Sequence, residues 1–412
     1  MRVQHFPRRF VASDWGGAES AVLEIAKALM ARGHQSEILT SAALSHSGMD
    51  AIDGVPVQRF AHFYPYLGLG ADARDQLDQR GGNLFSVSLL WHLMTSRPPD
   101  VFHLHTGKRM GGIVRMAARH HRRPYVVSLR GGVLDVPQDE CRRWTRPTNG
   151  SLEWGRVLGA AVGERRVLDD AAAILCVDRN EQAMLQKQYP DKRIVWNPSC
   201  IRVENYLQGD GRAFREQLGI PAGSRMVLCV GRIDPQKNQL EAVKVVERLS
   251  AHISIHLVLV GPESDRAYAE KLRHRISLSP CARNIHLAGP LAAGSPELIN
   301  AYHAADCFLL SSVHEFFGIV LLEAWAAGVP VVAARVGGVP SFVDQGKNGL
   351  LYEPGDIGQA ASYVEAFLRS RDLVECFQGA ARQKVRCFDA GHTVDSLLAL
   401  YEEVKGEYAL CA

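Results

Sequence analysis

Short apolar runs alternate with stretches of helical periodicity along the whole chain, and that alternation leaves few folds open. Runs of four to six apolar residues without polar alternation are strands buried on both faces, the mark of a parallel sheet covered by crossover helices. In the first half such strands are expected near Arg2–Phe6, Glu37–Thr40, Pro56–Phe60, Val101–His105, Tyr125–Leu129 and Ala173–Val177. In the second half they are expected near Met226–Val230, Ile255–Val260, Asn284–Leu287, Cys307–Leu310 and Val331–Ala334. Glu19–Ala31 is an amphipathic helix, with Ala21, Val22, Ile25, Ala26 and Leu29 on one face and Gly33 as its stop. Asn238–Leu249, Phe317–Ala327 and Val394–Lys405 read as further helices, and residues 62–90 as an irregular insertion. A chain of 412 residues exceeds one ordinary core and suits two doubly wound α/β units. Asn197-Pro198 interrupts regular structure, which places the boundary between Val195 and Gln208 and gives units of 1–200 and 201–389.

Composition narrows the class. With 47% hydrophobic and 22% charged residues the chain is of the water-soluble globular type. No apolar run approaches the roughly 20 residues of a membrane span, and Met1–Arg9 lacks the apolar core of a secretion signal. The nine cysteines are scattered, without a Cys-x-x-Cys pair, so a cytoplasmic location with reduced thiols is expected. Residues 1–200 hold 26 Lys+Arg against 20 Asp+Glu. That excess fits an anionic acceptor or peripheral contact with the inner face of a membrane, though solvated arginines are the commoner source of such an excess. The densest basic spot, Arg119-His120-His121-Arg122-Arg123, lacks interleaved aromatics, so no nucleic acid partner is expected.

Chemistry concentrates in Ser311–Pro330. Glu315 falls in the loop after the strand Cys307–Leu310, and Glu323 lies about two turns into the helix stopped by Gly328 and Pro330. The helix's first N–H groups have no internal partner and suit an anion. Acceptors beside such a helix end fit a ligand that is anionic at one end and rich in hydroxyls, such as a nucleotide sugar. A glutamate, seven residues and a second glutamate in this context closely resemble the retaining glycosyltransferases of family 4.

That resemblance implies the GT-B architecture, two Rossmann-like doubly wound domains facing across a cleft, and a last helix (390–412) packing back on the first domain. It covers most of the chain and is strongest from Val227 to Asp356. By the same resemblance Glu315 lies near the transferred sugar and Glu323 accepts hydrogen bonds from the ribose. Gly318, Ile319 and Val320 offer backbone N–H groups to the diphosphate, with Phe317 beside them. Family members commonly carry small residues where Phe316 and Phe317 stand; the two rings either pack in the loop or shape a wall near the sugar.

The segment Gly231-Arg232-Ile233-Asp234-Pro235-Gln236-Lys237 follows a strand and leads into a helix. Arginine supplies a planar fork and lysine a mobile point charge, able to grip a diphosphate from two sides. The resemblance gives Arg232 and Lys237 the stabilisation of the departing diphosphate. Asp14-Trp15-Gly16-Gly17-Ala18-Glu19 sets paired glycines before a helix without the Gly-x-Gly-x-x-Gly spacing, and resembles the family's loop at the donor phosphate through Gly16 and Gly17. His105, at a strand's carboxyl end, points into the ligand crevice of an open sheet, where the family has a histidine at the donor sugar. His103 reads as a satisfied core histidine. A His-x-His zinc site lacks a third ligand of convincing spacing, and no resident metal is expected. Arg130 ends the next strand, with acceptor anion, diphosphate or structure as its open roles. Asn284–Leu291 resembles the segment whose backbone meets the base, which brings in Pro290 and Leu291.

No Asp-x-Asp pair exists to hold a divalent metal on a diphosphate. Cations and helix ends stand in its place, and metal-independent transfer is expected. No cofactor is expected; a nucleotide-diphosphate sugar (UDP or GDP type) is the co-substrate, and the acceptor is a glycan, a lipid-linked glycan or a small molecule. Two rivals remain at this level: a sugar-nucleotide epimerase of the same architecture, which converts donor without acceptor, and a non-catalytic sugar-nucleotide binder.

Overall fold

The computed structural model describes residues 1–12, 15–79, 81–130 and 145–411. They divide into two units, Met1–Pro198 with Gly391–Ala412, and Ser199–Ala390.

The first unit is built on β1 (Arg2–Phe6), β2 (Gln35–Ser41), β3 (Gly48–Ile52), β4 (Val55–Phe60), β5 (Tyr66–Leu67), β6 (Val101–Leu104), β7 (Tyr125–Leu129), β8 (Leu152–Glu153), β9 (Ala173–Cys176) and β10 (Ile194–Trp196). Eight of these form one sheet in the order β10-β9-β7-β6-β1-β2-β4-β3. Every pairing is parallel except that of β3 with β4. The exception is a hairpin on Asp53-Gly54, both at positive φ, a turn whose twist suits antiparallel strands. Its edge strand β3 is exposed. Residues 62–90, expected to be irregular, carry β5 and two helices, Ala71–Gln79 and the start of Val87–Thr95. The short strands β5 and β8 pair with each other outside the main sheet. Burial of β6, β7 and β9 is complete, as continuous apolar runs require.

The last helix, Ala390–Cys411, turns Val394, Leu397, Leu400, Tyr401 and Val404 inward. Ion pairs from Arg32 to Asp395 (2.8 Å) and from Arg193 to Glu407 (2.7 Å) fix its outer edge to the first unit.

The second unit holds β11 (Arg225–Val230), β12 (Ile255–Val260), β13 (Ile285–Gly289), β14 (Cys307–Leu310), β15 (Val331–Ala334) and β16 (Leu350–Tyr352), all parallel, in the order β13-β12-β11-β14-β15-β16. From β11 the chain moves outward to β12 and β13, then returns to the other side of β11 as β14. The sheet therefore reverses its winding between β11 and β14. In the first unit the same reversal falls between β1 and β6. At such a switch point neighbouring loops diverge and leave a crevice at the carboxyl ends of the strands.

Candidate functional site

In the second unit the loops after β11 and β14 flank the switch point and are stitched together. The Ser311 hydroxyl donates to the carbonyls of Lys237 and Asn238, both at 3.1 Å. Val313 N–H donates to Gln236 O at 2.8 Å, and the Gln236 amide donates to His314 O at 3.2 Å. These bonds carry Lys237 to Glu315, whose side chains form a close ion pair. Ser312 Oγ adds a donor to the same Glu315 oxygen at 3.3 Å.

Arg232 is held from inside its own turn. Its Nε lies 3.2 Å from the carboxylate of Asp234, a fully buried residue that also caps Lys237 N–H at 3.0 Å. One Arg232 terminal nitrogen donates to Gln236 Oε1 at 3.2 Å. Gln239, the first residue of helix Gln239–Ser250, donates from its amide to Arg232 O at 2.8 Å. Asn238 precedes that helix at positive φ, so the helix starts one residue later than the periodicity suggests. Gly231 (φ 156°) and Gly261 (φ 149°) let the loops after β11 and β12 touch, for a Cβ on Gly261 would sit 2.1 Å from Gly231 O. Pro290, exposed, and Leu291, half-buried, follow β13 along the same edge of the sheet.

The helix after Glu315 runs Ile319–Ala326, with Gly318 (φ 95°) as its N-cap and no capping side chain. Its first N–H groups stay open to a ligand. Phe317 departs from a ligand-facing role: it is core, stacked on Phe342 (4.6 Å between centroids) and edge-on to Phe388 (5.8 Å). Phe316 instead packs against His314 (4.6 Å). Glu323, inside the helix, is buried and receives Tyr302 OH at 2.6 Å and Tyr206 OH at 3.0 Å. Burial pushes its carboxyl above the usual range, and the two phenols pull it back. Each carboxylate oxygen keeps a second lone pair after accepting one phenol.

Two features of this site escape motif reading. Tyr206 and Tyr302 converge on Glu323 from 117 and 21 residues away, and neither carries a local signal. Gly337 (φ 49°) lies so close that a Cβ there would stand 1.9 Å from Glu315 O, while Gly338 N–H donates to that oxygen at 2.9 Å. The Gly337-Gly338 pair after β15 was the available signal.

In the first unit Gly16 is the N-cap of helix Gly17–Ala31, without a capping side chain; Asp14 lies outside the described residues. His105 follows β6, and its N–H donates to Phe6 O at 3.0 Å. Both of its ring nitrogens are engaged: Nδ1 with Arg130 Nε and Nε2 with His5 Nδ1, each at 3.1 Å. Arg130 thus stands beside His105. His103 is a satisfied core residue, with Nε2 2.7 Å from Ser128 Oγ and Nδ1 2.6 Å from Tyr401 OH. The third imidazole that sequence spacing could not supply is His5, on β1, which parallel pairing sets directly beside His103.

Two doubly wound sheets, parallel but for the β3–β4 hairpin and each with glycine turns and basic side chains at its strand ends, define a class: two-domain α/β proteins that handle anionic, hydroxyl-bearing ligands at strand ends. The comparisons make the family plain. Residues 16–199 match the model of the Glycosyl transferase 4-like domain, and residues 210–384 match Glycosyl transferases group 1. D-inositol 3-phosphate glycosyltransferase of Mycolicibacterium smegmatis is 28% identical over 418 residues, covering 96% of this chain and 88% of that one. The same-named protein of Geodermatophilus obscurus is 27% identical, covering 97% and 87%. Among solved structures, Anabaena Alr3699/HepE in complex with UDP and glucose matches with a TM-score of 0.73 at 19% identity, over 98% of this chain and 99% of that one. Sucrose-phosphate synthase from Thermosynechococcus elongatus gives 0.74 at 18% identity, over 98% and 99%. The chain belongs to the family 4 glycosyltransferases, group 1, of GT-B type. It is an enzyme of glycosyl transfer. No helix among the described residues is long and apolar enough to cross a membrane.

Proposed function

We propose that this glycosyltransferase moves a hexose from a nucleotide-diphosphate sugar to a hydroxyl acceptor, with retention at the anomeric carbon and without a metal or other cofactor. The observation that supports the reading is the stitched pair of loops at the second switch point, which brings Lys237 and Glu315 into contact beside the turn that carries Arg232.

In the transition state positive charge grows on the anomeric carbon and negative charge on the leaving phosphate. Preorganised donors act where charge develops. Arg232 is pinned by Asp234 and Gln236, so its fork is oriented before the donor arrives. Lys237, a point charge on a long flexible stem, leaves Glu315 for the diphosphate. The open N–H groups of Gly318, Ile319 and Val320, with Gly231, complete the phosphate seat in the second unit; in the first unit Gly16 and Gly17 offer open N–H groups of their own to an anion. Glu315, released from Lys237, accepts a sugar hydroxyl. Glu323, steadied by two phenols, accepts from the ribose. Pro290 and Leu291 meet the base through backbone. Retention follows when the acceptor attacks on the leaving-group side and a phosphate oxygen takes its proton.

Acceptor recognition falls to the first unit. The names of the aligned relatives make inositol phosphates the first small acceptors to try, beside lipid-linked glycans. The basic excess of residues 1–200 suits an anionic acceptor, or contact with the inner face of a membrane.

The deciding experiment incubates UDP- and GDP-hexoses with an acceptor panel in excess EDTA and reads the product's anomeric coupling by NMR. Retained configuration with full activity in EDTA supports the reading. An inverted product or activity that needs a restored divalent ion overturns it, and conversion of donor without acceptor indicates an epimerase.

A further inference from the structure

Arg130, His105 and His5 form a chain of contacts in which every proton can be assigned. A guanidinium has only donors. Arg130 Nε lies 3.1 Å from His105 Nδ1, so Nδ1 bears the lone pair and the His105 proton sits on Nε2. That Nε2 lies 3.1 Å from His5 Nδ1, so His105 donates and His5 accepts. The His5 proton is then on Nε2, which is buried and has no hydrogen-bond partner among the described residues. Burial, reinforced by Arg130, holds the His5 imidazole neutral, with its pKa down at about 3, and burial holds His103 and His105 well below the ordinary range.

The three histidines bring one nitrogen each within 4.8 Å of one another, a spacing that would admit a metal ion. Arg130 argues against one. A metal on His105 Nε2 moves the ring proton to Nδ1, which then faces the Arg130 N–H, donor against donor. His103 has spent both nitrogens on the hydroxyls of Ser128 and Tyr401.

We propose that His5 is a positioning residue for His105: it accepts the Nε2 proton and, with Arg130, clamps the ring in one tautomer and one orientation at the first unit's switch point. This rests on the transferase reading that puts His105 at the donor sugar. One chemical consequence is specific. With its lone pair taken by Arg130, His105 meets a sugar hydroxyl as a donor through Nε2–H, shared with His5, and does not serve as a general base. A ring free to turn presents that donor in the wrong place, and small misplacements cost large factors in rate.

The test uses the full chain with His5→Phe, which keeps ring volume without an acceptor, and His5→Asn, which restores an acceptor near the place of Nδ1. We expect His5→Phe to lower kcat about tenfold or more with the donor KM within about twofold, and His5→Asn to recover most of it. Nitrogen-15 shifts of the wild-type imidazoles should put the His105 proton on Nε2. The proposal is overturned if the shifts put it on Nδ1, or if both variants lose rate equally in step with their melting temperatures. It also fails if wild-type protein titrated with zinc chloride binds one equivalent that His5→Phe does not. The wild-type shifts need no variant to fold. Failure of the transferase reading is separately visible, as full turnover by Lys237→Ala with the tautomer unchanged.

Discussion

Lys237 and Glu315 neutralise each other across the switch point of the second unit, and each is the other's nearest opposite charge. Removing either leaves its partner, the buried Glu315 carboxylate or the half-buried Lys237 ammonium, without its counter-charge, so local order suffers along with the proposed ligand grip. Lys237→Ala and Glu315→Ala should each lower transfer by about 10²–10³-fold, in the range of lost preorganised charge contacts; nucleotide release in a coupled assay measures this. Retention of normal turnover in either variant would falsify the proposed site. A second prediction rests on backbone space. Gly337→Ala places a methyl group 1.9 Å from Glu315 O in a left-handed conformation. A loss on the order of 1–3 kcal/mol in urea unfolding, together with weakened donor binding by calorimetry, is the expected outcome. An unchanged variant would show that the Glu315 loop shifts freely.

At the scale of elements, packing explains features that neither strand nor helix patterns reveal. The first unit buries His5 and His103 on adjacent strands, with His105 just beyond, facing Ser128 and Arg130 at the next strand and Tyr401 on the last helix. Among these groups Arg130 opposes protonation of His5. The folded pKa of His5 is about 3, against an ordinary 6.5. Below pH 6.5 the unfolded chain binds a proton that the folded chain refuses. Stability is therefore complete above pH 6.5 and falls as pH drops toward 3, by a few kcal/mol from this group at the lower end. Thermal unfolding across pH 3–7 should show that slope, and His5→Phe should flatten it. In the second unit, Tyr302→Phe strips one donor from the buried Glu323 carboxylate. A loss of about 1–3 kcal/mol at neutral pH is expected, as for an under-satisfied buried acceptor, with a raised donor KM. Strands were readable to within a residue or two because apolar runs announce burial. Strands β5, β8, β10 and β16, of two or three residues each, are too short to announce themselves, and β3 was missed although Asp53-Gly54 is a hairpin signal, since its exposed residues carry no apolar pattern. The helix after Glu315 begins at Ile319 rather than Phe317 because Gly318 turns left-handed and Phe317 is claimed by the core.

For the whole molecule, the chain's last helix belongs to its first unit. It contributes five buried apolar or aromatic side chains and the hydroxyl that satisfies His103. Ending the chain at Asp389 should expose that face and strand the His103 nitrogen. Loss of the first unit's unfolding transition, or of soluble protein, is expected, and a truncated chain with both transitions intact would refute this. Nucleotide diphosphate should raise the second unit's transition, by about 2.7 kcal/mol at a hundred times its Kd; scanning calorimetry with and without UDP or GDP reads it.

Periodicity, glycine placement and charged residues at strand ends are local properties, and local properties can be read from one sequence. They determined the doubly wound units, the basic turn at Arg232–Lys237 and the paired glutamates, whose spacing carried the family resemblance. Tertiary structure alone decided which side chains close on them. His5 beside His105, the phenols on Glu323, Asp234 behind Arg232 and Gly337 under Glu315 are contacts made by strand order and loop packing, across separations that no periodicity spans except in the short Arg232 turn. In that turn the deciding fact is burial: Asp234 is wholly enclosed, and enclosure is a property of the surrounding fold.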